Sequence, residues 1–141
     1  MHTVISLLKH PKKLLLLDAI GAFATTLTIY FVFASEVLIT GLPVSVHRIM
    51  AILAMMFACF DLFAYRFSKT AIIPLAIIAS LNLSYCVLTV IAISMNWQTI
   101  TWLGLLYFGV EMIVISSLAA REFVVARRVS DNSELDANDA M

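Results

Sequence analysis

The chain reads as an all-α membrane protein, four transmembrane helices in an antiparallel up-down bundle with both termini in the cytoplasm. Three observations predict this. Four apolar runs, 14–34, 46–65, 71–94 and 101–121, each reach the roughly 20 residues that a helix rising about 1.5 Å per residue needs to cross a hydrocarbon core of about 30 Å. The 141-residue chain is 62% hydrophobic and 13% charged, with a mean hydropathy of +1.01. Soluble domains carry about 45–50% apolar and about 25% charged residues. The basic residues also segregate. Lys9, Lys12 and Lys13, then Arg66 and Lys69, then Arg121, Arg127 and Arg128 fall on one side of the predicted spans, with Arg48 alone on the other. Cytoplasmic loops collect Lys and Arg, so this bias sets the orientation.

Residues 1–13 form a short basic segment in which Val4, Leu7 and Leu8 share a face above Lys9, Lys12 and Lys13. That pattern predicts an interfacial turn of helix, ended by Pro11 because the residue before a proline avoids the α region. The first span places Asp18, Gly21, Ala22, Thr25 and Thr28 at three- or four-residue intervals. Such a polar, small-residue stripe faces other helices. Tyr30, Phe31 and Phe33 stand at its far end, where aromatic belts form.

Gly41-Leu42-Pro43 marks a turn and a helix restart. The second span has His47 and Arg48 at its outer edge. Ala51, Ala54 and Ala58 admit a close neighbour, and Asp61 lies near the inner end. A tight turn follows at 66–69, with Thr70 as the cap of the third span. Pro74 is tolerated in its first turn, where amides have no intrahelical partner. The third span carries a stripe of Asn82, Tyr85, Cys86 and Thr89. The fourth has one carboxylate, Glu111, almost at its midpoint, and Trp97 and Trp102 anchor its entry. Residues 129–141 hold Asp131, Glu134, Asp136 and Asp139 with no basic residue, and predict an acidic, disordered tail. Residues 14–128 are then a single membrane domain.

Counting helical rise from the span ends places the polar residues in two layers. Thr25, Asn82 and Glu111 fall near the midplane, with Tyr107 one turn before Glu111. Asp18, Asp61, Ser117 and Arg121 form a layer nearer the cytoplasm. A carboxylate at the midplane costs at least about 2.5–3.5 kcal/mol even on insertion scales, so intramembrane acids mark functional sites by default. The midplane group has two readings, interhelical glue or a proton or substrate site.

Catalytic and cofactor chemistry is expected to be absent. No HExxH, GxSxG, P-loop or GxGxxG occurs. His2, His10 and His47 all lie at interfaces, so no histidine pair can clamp a haem, and no metal ligand set is evident. Cys59 and Cys86 differ in depth by about 13 Å on the helical rise, too far for a disulfide, and are expected to be buried thiols. No basic surface supports nucleic-acid binding.

LLLLDAIGA in the first span, NLSYCVLT in the third and TWLGLLYFGVEMIVI in the fourth resemble a group of small four-span bacterial inner-membrane proteins with no established activity. The resemblance implies the four-helix architecture and a bacterial cytoplasmic membrane. In size, and in having a membrane carboxylate, the chain is also similar to the small multidrug-resistance transporters. Those carry their key glutamate in the first span, whereas here it is in the fourth.

The leading expectation is therefore a non-enzymatic integral membrane protein without a cofactor, an accessory or scaffold subunit or a homo-oligomer whose partners are the lipid bilayer and other membrane protein chains. The alternative is a small proton-coupled transporter using Glu111.

Overall fold

The computed structural model describes residues 12–33, 37–68 and 72–139. Of the expected interfacial segment at 1–13, residues 1–11 lie outside the described residues, as do Lys69 and the Thr70 cap, while Lys12 and Lys13 open the first helix. Four helices carry the fold: α1 (Lys12–Leu27), α3 (Val44–Phe67), α4 (Ile72–Met95) and α5 (Trp102–Asp139). A π-helical turn, Thr28–Phe33, extends α1, and a single turn, α2 (Val37–Thr40), precedes α3. Among the described residues, four helical stretches are long and apolar enough to cross a membrane: Lys12–Phe31, Val44–Phe67, Ile72–Met95 and Trp102–Arg128. They are compatible with a small multi-pass integral membrane protein.

The side chains are arranged inside out relative to a soluble protein. Ile52, Phe63, Ile73, Ile113 and Val114 face outward, with Ile113 68% exposed. Asp61 and Glu122 are fully buried. Soluble monomers rarely leave contiguous apolar surface on this scale uncovered, and hydrocarbon is the solvent that suits it.

α1 packs along α3, and α4 along α5; the two pairs meet more sparsely through α3 and α4. Two buried clusters hold them together. Leu14, Leu15, Ala64, Leu75, Ile78, Val125 and Ala126 form one, where Lys12 Nζ also donates to the Ser68 carbonyl at 2.6 Å. Ile29, Leu42, Met50, Ala51, Tyr85, Ile93 and Phe108 form the other. The small residues Ala51, Ala54 and Ala58, all buried, let α1 approach α3 closely, as their spacing predicts.

Beside the second cluster the connections are pinned. Gly41 has φ +77, a conformation open to glycine at little cost. A Cβ on Gly104 would lie 2.4 Å from the Thr40 carbonyl oxygen, so only glycine permits this approach. Thr101 caps α5 by accepting from the Gly104 amide at 3.0 Å, and its own amide donates to the Thr40 carbonyl at 2.9 Å. His47, expected at the outer edge of its span, stands in the first turn of α3 and is fully buried. Its Nδ1 donates to the Pro43 carbonyl at 3.2 Å, which leaves Nε2 to accept from the Thr40 hydroxyl at 2.8 Å.

Two features differ from the sequence expectation. The first span ends in a π-helical turn, and two threonines at its start bond back into the preceding helix: Thr26 to the Ala22 carbonyl at 2.9 Å and Thr28, the first residue of the turn, to that of Ala24 at 3.0 Å. Such back-bonding loosens the helical ladder. α5 also runs to Asp139, through the stretch expected to lack fixed structure. No glycine or proline follows Gly109 to stop it.

Candidate functional site

The seam between α1 and α5 is open. It holds a cavity of about 580 Å³, with Gly21, Ala22 and Thr25 on the α1 side and Leu106, Val110 and Glu111 on the α5 side. Phe57 of α3 and Tyr85 of α4 reach its floor, their rings in edge contact with centroids 6.3 Å apart. Cavities of about 300–1,000 Å³, mostly apolar with a few polar groups, are the usual form of a small-molecule site. Gly21 helps to make the space: a Cβ there would meet nothing within 4 Å.

Glu111 supplies the charge at one level of this cavity. Its residue is 8% exposed, and neither carboxylate oxygen has a hydrogen-bond partner among the described residues. The hydroxyls of Thr25 and Tyr85 face it, and Tyr107 lies close enough to feel its charge. Two hydroxyl groups, those of Thr25 and Tyr85, thus face the carboxyl without closing on it. A buried carboxyl with unfilled acceptor sites is costly, and a ligand donor or a proton relieves that cost.

A second group of carboxyls lies about 10 Å nearer the start of α1, by the seven-residue rise from Thr25 to Asp18. Asp18 lines the cavity and accepts from Asn82 Nδ2 at 3.1 Å. The Asp61 carboxyl lies against that of Asp18, and the Glu122 carboxyl faces the Asn82 amide, close enough to feel the charge of Asp18. No oxygen of Asp61 or Glu122 has a hydrogen-bond partner among the described residues. Among the described residues, no basic side chain figures among the neighbours of these acids. Arg121, beside Glu122 in sequence, is exposed.

The residues singled out from sequence sort into these groups unevenly. Thr25 and Tyr107 do accompany Glu111, but Asn82 does not: it joins Asp18. Helical side chains lean toward the start of their own helix, so Asn82 leans toward Ile72 and Glu111 toward Trp102, and equal backbone depth does not bring them together. Asp18 and Asp61 meet as the layer predicted. Ser117 and Arg121 do not join them; both are exposed, and the Ser117 hydroxyl bonds the Ile113 carbonyl at 2.7 Å. Cys59, expected to be buried, is exposed. The sequence reading missed Tyr85 as a neighbour of Glu111 and missed Glu122 altogether. A signal for Glu122 was present: it lies eleven residues, about three helical turns, after Glu111, and so shares its face.

Comparison with models of protein families, with curated proteins and with solved structures returned no match.

Proposed function

We propose that this chain is a small, non-enzymatic, proton-coupled membrane transporter in which Glu111 exchanges a proton against substrate in the α1–α5 cleft. One observation carries the reading: Glu111 lines a cavity of about 580 Å³ with both carboxylate oxygens lacking a hydrogen-bond partner among the described residues. An accessory or scaffold subunit, which would use Glu111 as interhelical glue, calls for a carboxyl whose hydrogen bonds are filled.

The proposal includes an arrangement. The spans run alternately up and down, with both ends of the chain on the cytoplasmic side of a bacterial inner membrane. The eight-to-one distribution of Lys and Arg supports this, as does the grouping of Leu14, Ala64, Leu75 and Val125 in one cluster. Partners are lipid and a second copy of the chain or another membrane protein, which would cover the open α1–α5 seam.

The test is flux in proteoliposomes under an imposed pH gradient, with a pH-sensitive dye entrapped and a panel of amines, amino acids, sugars and organic anions added in turn. Substrate-dependent proton movement is expected for at least one class. Absence of movement across the whole panel overturns the reading.

A further inference from the structure

We infer that Asp18, Asp61 and Glu122 form a second proton-holding site, in which Asp18 and Asp61 share one proton, Glu122 holds another beside them, and Asp18 connects the group to the cleft. The inference deepens the transport reading, and its role in coupling rests on that reading.

The geometry is specific. The three acids come from three helices, α1, α3 and α5, and the fourth, α4, contributes Asn82. Asp61 and Glu122 have no exposed surface, and none of their four carboxyl oxygens has a hydrogen-bond partner among the described residues. Both belong to a group whose one hydrogen-bond donor among the described residues is the Asn82 amide on Asp18. Among the described residues, the titratable and charged groups facing the site are thus the acids themselves. The nearest arginine in sequence, Arg121, points outward.

Three carboxylates cannot all be ionised in such a place. Like charges sharing a buried site disfavour one another, and an unpaired buried charge costs several kcal/mol even after relaxation. Something must neutralise the group. Among the described residues, no set of three His, Cys, Asp or Glu side chains converges as the donors of a metal ion would. Protons remain. A protonated carboxyl is a donor as well as an acceptor, so one proton between Asp18 and Asp61 turns two opposed acceptors into a hydrogen-bonded pair. Another on Glu122 removes its charge against Asp18. The proton between Asp18 and Asp61 moves from the O–H of one carboxyl to an oxygen of the other, with no co-reactant.

Asp18 belongs both to this group and to the wall of the cavity that Glu111 lines. A cation or proton arriving in the cleft therefore meets Glu111 at one level and Asp18 at the other, and a change of charge on Asp18 changes how many protons the cluster holds. The site thereby stores protons next to the path that substrate takes.

The test is infrared absorption of carboxylic acid C=O groups in the full-length protein reconstituted in lipid at neutral pH. The wild-type protein should retain protonated carboxyl bands. Glu122→Gln and Asp61→Asn should each remove or shift one of them, and Glu111→Gln should leave those bands in place. If the carboxylic acid regions of Glu122→Gln and Asp61→Asn superimpose on the wild type, the inference is overturned. Thermal unfolding of each variant reports whether it is folded, and Glu122→Asp, which keeps the acid, should keep the band and serves if a neutral variant does not fold. The bands need no substrate. Bands present without flux would therefore overturn the transport reading alone, and flux without bands would overturn this site alone.

Discussion

Asn82 Nδ2 donates to Asp18 Oδ2 at 3.1 Å, a buried hydrogen bond that runs from α4 to α1 across the interior. It gives the acidic group its one fixed donor among the described residues, and it ties the helix pair α1–α3 to the pair α4–α5 where backbone contact is sparse. Asn82→Leu should cost about 1–3 kcal/mol, the penalty for leaving a buried polar partner unsatisfied. Asn82→Asp should be worse, because it replaces the donor by a fourth acid. Thermal unfolding in a mild detergent, with Asn82→Gln as the conservative comparison, measures both.

Glu111→Gln should fold at least as well as the wild type. Among the described residues the carboxyl has no filled hydrogen bond to lose, and a neutral amide of the same shape is cheaper to bury than a charge. An unfolding midpoint well below wild type would show that Glu111 holds the helices together.

Gly21 and Gly109 form a matched pair. A Cβ at either meets nothing within 4 Å, but only Gly21 lines the cavity. Leucine should therefore be accepted by the fold at both positions. Gly21→Leu should abolish flux by filling the cleft, and Gly109→Leu should leave it close to wild type. Flux measured alongside thermal unfolding separates occlusion from misfolding.

Gly104→Ala should destabilise the protein without reference to the cleft. The new Cβ would lie 2.4 Å from the Thr40 carbonyl oxygen and 2.9 Å from its Cα. These are backbone atoms that cannot rotate aside, and overpacking of this kind costs about 1–3 kcal/mol. Gly41→Ala should behave similarly, since it combines a positive φ with a contact of 1.9 Å to the Thr99 carbonyl oxygen. Circular dichroism on heating reads the loss.

The spans were legible in the sequence because length and apolarity decide them, and the alanines of α3 were legible because close approach requires small residues. The partition of polar residues was only partly so. Depth counted along a rise placed Thr25 with Glu111 and Asp18 with Asp61, since neighbouring helices constrain depth. It misplaced Asn82, because depth omits the lean of side chains along the helix. Ser117 and Arg121 share the depth of the inner acids but lie on the outward side of α5, and depth carries no angular information. Glu122 was hidden by treating Arg121 as the end of the span; a helical wheel of α5 centred on Glu111 brings Glu122 onto the buried face with Phe108 and Val125. The interior position of His47 could not be read from α3, as its partner Thr40 belongs to the preceding turn.

The central claim is that Glu111 titrates in a working cleft. Its most direct measurement compares substrate-dependent proton flux in proteoliposomes holding wild-type protein and Glu111→Gln at equal amounts, with empty vesicles as the baseline. The account predicts flux above baseline for the wild type and none for Glu111→Gln, with Glu111→Asp retaining a fraction. Equal flux in the wild type and in Glu111→Gln would contradict it.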